Sequence, residues 1–378
     1  MRLAAGVRSR RVHGVNGLDM HILESGHEPA GRPCVLLLHG FPELAFSWRH
    51  VLPKLADAGF HAVAPDQRGY GRTQGADTRY EADLGPFAFP SLAADAAALV
   101  AALGRRSVAA VVGHDFGSPV AAYCALARPE IFRSVVLMSA PFAGPPSPPF
   151  AWSRLDAALA SLQPPRRHYQ QYYSTPHANA DMARCPQGVH DFLRAYYHVK
   201  SADWPQNRPF RLASFEASEL AKLPTYYIME RGRTMAETVA PEMPSRQHIA
   251  GCAWLPDDEL RVYSDEFGRT GFQGGLQWYR CATSERHLMQ LHEAFSGRTI
   301  DVPSAFIAGR SDWGIYQKPG DLERMREHAC TRMRGVHLVE GAGHWVQQER
   351  PEEVARLLLA FLRETASRSS ASSRLAAA

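Results

Sequence analysis

The chain is poor in several things, and each shortage excludes a class. Its longest apolar runs are far too short to cross a bilayer, so no membrane-spanning helix is expected. Residues 1–20 carry no apolar core of signal-peptide length, and a cytoplasmic protein is the expectation. Cysteine is scarce: six in 378 residues, at positions 34, 124, 185, 252, 281 and 330, without a C-x-x-C pair. Cys34 and Cys124 lie in apolar runs, so reduced, buried thiols are expected, with no metal site. Net charge is only +4, and the cluster Arg8-Ser9-Arg10-Arg11 is too short to grip nucleic acid; it reads as a solvated face. No repeat is visible. What remains is an ordinary globular composition, 45% hydrophobic and 21% charged, long enough for one large domain or two modest ones.

One stretch organises the rest. The apolar run 108–112 ends in Gly113-His114-Asp115-Phe116-Gly117, and small residues follow over 119–127. This pattern predicts a buried strand, a sharp turn and a helix. The two glycines flank one side chain, Asp115, at the apex, and a turn this tight needs small neighbours because the chain passes close to itself. The form is that of the nucleophile elbow G-x-S-x-G, with Asp in place of Ser. A bare G-x-D-x-G also fits a strand-helix turn with an N-capping Asp; the rest of the chain favours the nucleophile.

Before the elbow, two short strands around Asn16-Gly17 read as a hairpin. Residues 33–38 form a continuous apolar run, expected for a strand covered on both faces, and end in His39-Gly40-Phe41-Pro42-Glu43. Trp48, Val51, Leu52 and Leu55 follow helical spacing, and the strand 61–64 runs into Asp66-Gln67-Arg68-Gly69-Tyr70-Gly71. Ser91 is placed to cap a helix bearing Leu92, Leu99, Val100 and Leu103. After the elbow helix come a strand at 134–138, then strands at 303–308 and 336–339, a short helix near 320–329 and a helix starting at Pro351. This alternation predicts a parallel sheet with helices on both faces. The proline-rich segment 141–149 interrupts it, and no β-α alternation appears from about 145 to 298. We expect core residues 1–144 and 299–365, a mainly helical insertion at 145–298 and a frayed Ser/Ala-rich tail at 366–378.

An elbow nucleophile needs a base and a group to orient it, in the chain order nucleophile, acid, histidine. Asp312, in Gly309-Arg310-Ser311-Asp312-Trp313, and His344, in Gly341-Ala342-Gly343-His344-Trp345, each follow a predicted strand. Both therefore fall at carboxyl ends of parallel strands, where open α/β sheets place their sites. His114 and Glu340 compete for these roles. His114 lies on the alternate face beside the nucleophile and reads as structural, while Glu340 has no motif support. The segment 139–149 contains no acidic residue, which leaves Asp312 as the acid.

At this point the sequence resembles the α/β-hydrolase-fold epoxide hydrolases of soluble and microbial type. The motifs that carry the resemblance are His39-Gly40-Phe41-Pro42-Glu43, the Asp66 turn, the elbow, Gly275-Leu276-Gln277-Trp278-Tyr279-Arg280 and Gly343-His344-Trp345, and it extends over about residues 12–362. Within the insertion only the segments near Tyr169 and Tyr279 match clearly; residues 181–268 do not. The resemblance implies an α/β-hydrolase fold, with a mostly parallel eight-stranded sheet and a helical cap. It implies that Asp115 attacks an epoxide carbon and that His344, oriented by Asp312, activates water against the resulting ester. Backbone N–H groups of Phe41 and Phe116 would receive the oxyanion, and Pro42 would hold that loop through a cis bond. Phe41, Pro42 and Trp345 would contact substrate. Tyr279 and Tyr169 would protonate the epoxide oxygen, with Tyr172 or Tyr173 as alternatives to Tyr169. No cofactor is implied; the partners are a small epoxide and water, with neither nucleic acid nor membrane. A homodimer is left open.

Two rival functions share parts of this pattern. A haloalkane dehalogenase uses the same nucleophile but carries Trp after it to hold the halide, and Phe116 has no such donor. A non-catalytic binding protein has no need of a complete set of Asp115, Asp312 and His344. The particular epoxide is not legible, because the insertion shapes its pocket.

Overall fold

Asn16 and Gly17 both take positive φ, 49° and 79°, and so form the hairpin turn their sequence predicts. The turn joins β1 (Val7–Val15) to β2 (Leu18–Ser25) in antiparallel register. The structure is a computed structural model that describes residues 3–28, 31–150 and 152–375, with side chains through residue 366. β2 pairs antiparallel with β4 (His61–Pro65). From there the sheet is parallel: β4, β3 (Cys34–Leu38), β5 (Ala110–His114), β6 (Val135–Met138), then β9 (Ser304–Gly309) and β10 (Met333–Val339). The eight-stranded order is β1-β2-β4-β3-β5-β6-β9-β10. Every residue of β3 and β5 is buried, which explains their unbroken apolar sequence.

Helices Leu52–Asp57, Phe89–Ala102 and Gly117–Ala127 pack on the strands, and Pro351–Leu375 closes the chain. The second of these starts earlier than its serine signal suggested. Pro90 occupies its first turn, where a fixed φ and a missing N–H cost nothing. The Ser91 hydroxyl instead donates to the Gly85 carbonyl at 2.8 Å. The last helix carries its backbone through most of the segment expected to fray, up to Leu375, since no Pro or Gly stops it. Residues 376–378 lie outside the described residues.

Between β6 and β9 the chain leaves the sheet for a run of helices, among them Tyr169–Tyr173, Gly188–Lys200, Asp257–Thr270 and Gln273–Thr283. They include one small antiparallel ribbon, β7 (Arg166–His168) with β8 (Ile228–Glu230). Two sequence motifs far apart in the chain meet where this cap touches the core. A Cβ on Gly274 would lie 1.8 Å from the Gly69 carbonyl oxygen, so only glycine permits the approach. Trp278 then donates its indole N–H to the Arg68 carbonyl at 3.1 Å. Arg49 adds a buried tie, bonded to Glu259 at 2.5 Å and to Gln348 at 2.7 Å. Among the described residues no helix is long and apolar enough to cross a membrane.

Candidate active site

β5 runs into Asp115, whose φ of 51° is left-handed. Non-glycine residues adopt that conformation uncommonly, and here the surrounding structure enforces it. The enforcement is visible in three close approaches. A Cβ on Gly113 would sit 1.9 Å from the Gly117 carbonyl oxygen, one on Gly117 would sit 2.4 Å from the Leu38 oxygen, and one on Gly40 would sit 2.3 Å from the Asp115 Cβ. The glycines around the elbow therefore let β3, β5 and the helix Gly117–Ala127 converge beneath one carboxylate.

That carboxylate is gripped from two sides. Its Oδ1 accepts the Phe41 backbone N–H at 2.9 Å, from the loop with a cis Phe41–Pro42 bond. Its Oδ2 lies 3.2 Å from His344 Nε2. On the other face of the imidazole, Nδ1 lies 3.1 Å from Asp312 Oδ1, and this oxygen also accepts the Gly314 N–H at 2.7 Å. Asp115, Asp312 and His344 are all buried. Burial pushes the Asp115 carboxyl up, but the bond to and charge of His344, joined by the charges of Lys200 and His114, hold it well below the usual carboxylate range. The same opposition, again won by His344, holds Asp312 low. The arrangement is thus a carboxylate held ionised at the elbow, an imidazole beside it and an acid behind the imidazole, the order that a nucleophile, a base and an orienting group require.

The competitors stand elsewhere. His114 places Nδ1 2.6 Å from Glu43 Oε2 and Nε2 2.7 Å from the His344 carbonyl oxygen, so it supports the base's loop. Glu340 is exposed and pairs with Arg310. Phe116 caps the elbow helix with φ −63°, directly after the nucleophile.

A cavity of about 780 Å³ opens beside Asp115, with Phe116, Tyr123, Phe142, Trp152 and Tyr169 among its walls. Tyr169 accepts from Gln170 Nε2 at 3.1 Å and donates to Gln317 Oε1 at 3.2 Å. The Tyr279 ring meets Phe116 edge-on at 4.5 Å between centroids, and Tyr169 at 5.9 Å. Burial and the nearby Asp115 charge raise both phenols well above their ordinary range, so both are neutral donors. The alternatives to Tyr169 are spent elsewhere: the Tyr172 hydroxyl donates to Asp181 at 3.0 Å and the Tyr173 hydroxyl to that of Tyr196 at 3.3 Å.

Three expected substrate contacts are also engaged within the protein. Trp345 is fully buried, stacks on Tyr197 at 4.3 Å and donates its indole N–H to the Tyr197 carbonyl at 2.9 Å; it ties cap to core. The Phe41 ring packs against Tyr173 and Tyr279 at 5.2 and 5.3 Å, leaving only its N–H facing Asp115. The Pro42 carbonyl accepts the Tyr197 hydroxyl at 2.9 Å. None of the three lines the cavity, and neither does Tyr279, which reaches it through Phe116. Two buried groups were missed. Glu43 receives Gly40 N–H, Gln347 and Gln348 besides His114. Lys200 sits in an aromatic box, its ammonium 5.2 Å from the Tyr227 ring, 5.3 Å from Tyr196 and 5.5 Å from Trp345. Only its neighbouring tyrosine cluster stood out in sequence. Among the described residues no group of three or more His, Cys, Asp or Glu side chains is placed to hold a metal ion.

Fold and site together define an α/β hydrolase with a carboxylate at its elbow. The chain matches the α/β-hydrolase fold family over residues 33–180. It is 35% identical over 362 residues to epoxide hydrolase A of Mycobacterium tuberculosis, covering 94% of this chain and 98% of that one. Epoxide hydrolase B of the same organism is 32% identical over 366 residues, covering 93% and 97%. A solved epoxide hydrolase from an endophytic Streptomyces superposes with a TM-score of 0.77 at 34% identity, covering 95% of this chain and 96% of that one. The chain belongs to the epoxide hydrolase family of the α/β-hydrolase fold.

Proposed function

We propose that the protein hydrolyses epoxides to vicinal diols through an ester on Asp115. The observation that carries this reading is the ionised carboxylate at the elbow, held by Phe41 N–H on one oxygen and facing His344 with the other. A carboxylate oxygen bonds to an epoxide carbon as the ring C–O bond breaks, and the alkoxide takes a proton from Tyr279 or Tyr169. His344 then draws a proton from water, and the hydroxide attacks the Asp115 carbonyl carbon. The oxyanion forms on Asp115 itself, with the Phe41 and Phe116 N–H groups as its donors. Collapse expels the diol oxygen, which takes the proton from the imidazolium; the Asp115 carboxyl returns its proton to the tyrosinate and keeps one water-derived oxygen. In this scheme the nucleophile, base and acid belong to core residues 1–144 and 299–365, and the proton donors to cap residues 145–298. The cavity's size and aromatic walls favour a bulky, mostly apolar epoxide. The six cysteines are free thiols, which supports a reducing, cytoplasmic setting.

A single turnover in oxygen-18 water tests the reading. Label should appear in Asp115 after the first turnover and reach the diol strongly only in later ones. A fully labelled first diol with unlabelled Asp115 would mean direct water attack. A parallel incubation with a haloalkane, scored for released halide, checks the dehalogenase alternative, for which Phe116 supplies no N–H donor.

A further inference from the structure

The loop that bears His344 is held by a carboxylate outside the triad. Glu349 is buried, in the short helix Val346–Glu349 just beyond that loop. Its Oε2 accepts the Gly343 N–H at 2.9 Å and its Oε1 accepts the Trp345 N–H at 3.0 Å. These are the residues immediately before and after His344. Oε2 also accepts the Ala202 N–H at 2.8 Å, from the cap just past helix Gly188–Lys200. His344's own N–H continues the pattern by donating to the Lys200 carbonyl at 2.8 Å.

This is a costly way to brace a loop. A buried carboxylate paired only with backbone donors pays desolvation that apolar packing does not. What it gains is direction. Two acceptor oxygens fix the peptide planes on both sides of the imidazole, and the third bond registers them against the cap. Gly343 shows how closely the parts fit, since a Cβ there would lie 2.5 Å from the Ser201 carbonyl carbon.

We propose that Glu349 is a positioning residue for ester hydrolysis: it aims His344 by bracketing Gly343 and Trp345 and anchoring both to the cap at Ala202. The proposal rests on the epoxide hydrolase reading, and it makes a step-specific demand. In that reading the imidazole acts only on the ester, so misaiming it slows hydrolysis and leaves alkylation alone.

The test is stopped-flow and intact-mass analysis of the full chain with styrene oxide and trans-stilbene oxide, comparing wild type with Glu349→Gln, Glu349→Ala and Glu349→Asp. Gln keeps the shape but offers one acceptor oxygen, so it cannot satisfy both sides of the clamp. Ester formation should stay within about threefold of wild type. Ester hydrolysis should fall by about 10- to 100-fold in Gln and Ala, the scale for a misplaced catalytic group, with the ester accumulating by mass. Asp, which keeps two acceptor oxygens, should recover part of the rate. Hydrolysis at the wild-type rate in folded Glu349→Gln would overturn the proposal, and so would equal losses in both steps. Wild-type protein that turns over either epoxide without forming an ester would instead overturn the reading beneath it.

Discussion

The backbone N–H of His344, on the core, donates to the carbonyl of Lys200, the last residue of a cap helix, at 2.8 Å. The His344 loop and the cap are therefore registered by a main-chain bond. Trp345 repeats the link one residue later, through its indole bond to the Tyr197 carbonyl at 2.9 Å. The cap in this protein thus supports the loop that carries His344, the base in the proposed reaction, as well as lining the cavity.

Replacing His344 by Gln or Asp312 by Asn should slow ester hydrolysis far more than ester formation. His344 lies 3.2 Å from the nucleophile and 3.1 Å from Asp312, so both act on the water-activating step. Intact-protein mass after mixing with substrate should show enzyme plus one substrate. An unchanged steady-state rate in His344→Gln would rule out the imidazole as base.

Glu43 and His114 should behave differently. Both are fully buried, 2.6 Å apart, and Glu43 also holds the Gly40 N–H beside the Phe41 donor. Glu43→Leu breaks this buried pair, which costs about 3–5 kcal/mol of stability by analogy with other such pairs. Urea unfolding should show the loss, and both chemical steps should slow together, since Phe41 serves each. His114→Ala should lose stability as well, since it also drops the contact with the His344 carbonyl at 2.7 Å; a variant as stable as wild type would remove this pair from the account.

Much of this site could be read from the chain because its parts are contiguous. Asp115 announces itself through flanking glycines, and Asp312 and His344 through their places after β9 and β10. What could not be read is contact made at a distance. Trp345 adjoins the base in sequence, yet its ring turns to the cap, because Tyr197 offers a stacking face and a carbonyl there. Glu349 follows two glutamines in an ordinary-looking helix start, and nothing local says its oxygens reach three backbone groups. The cap between residues 181 and 268 is opaque for the same reason: tertiary packing against the core and among its own helices decides where they lie.

Glu349 also predicts a pH dependence of stability. Burial raises its carboxyl from 4.5 to about 7, against the pull of three backbone N–H donors. Between those values the native state binds more protons than the unfolded chain, so this group lowers stability as pH rises from 4.5 to 7 and adds nothing further above that. The full effect is up to about 3 kcal/mol. Glu349→Gln does not titrate, so its stability relative to wild type should improve across that window. Denaturant unfolding of both proteins at pH 5 and pH 8 measures it; parallel values would remove the shifted carboxyl from the account.

The ring-opening donors give the last test. Attack by Asp115 expels an alkoxide, a poor leaving group unless a proton reaches it, and the donor must come from the side away from the nucleophile. Tyr169 lies on the same cavity as Asp115, and Tyr279 packs on Phe116 beside it. Burial keeps both hydroxyls protonated at neutral pH, so each can donate as charge develops. Tyr169 is the more constrained of the two, since its proton is directed to Gln317 Oε1 at 3.2 Å and must turn from there to reach substrate. Tyr169→Phe and Tyr279→Phe should each slow ester formation by about 10- to 1000-fold, the range for losing one donor to a developing oxyanion. Ester hydrolysis should be nearly unchanged, because the alkoxide has been protonated by then. The double variant should almost abolish ring opening, whereas Tyr172→Phe, whose hydroxyl is held by Asp181, should leave it intact. Pre-steady-state alkylation at the parental rate in Tyr279→Phe would reduce that residue to packing and leave Tyr169 as the donor.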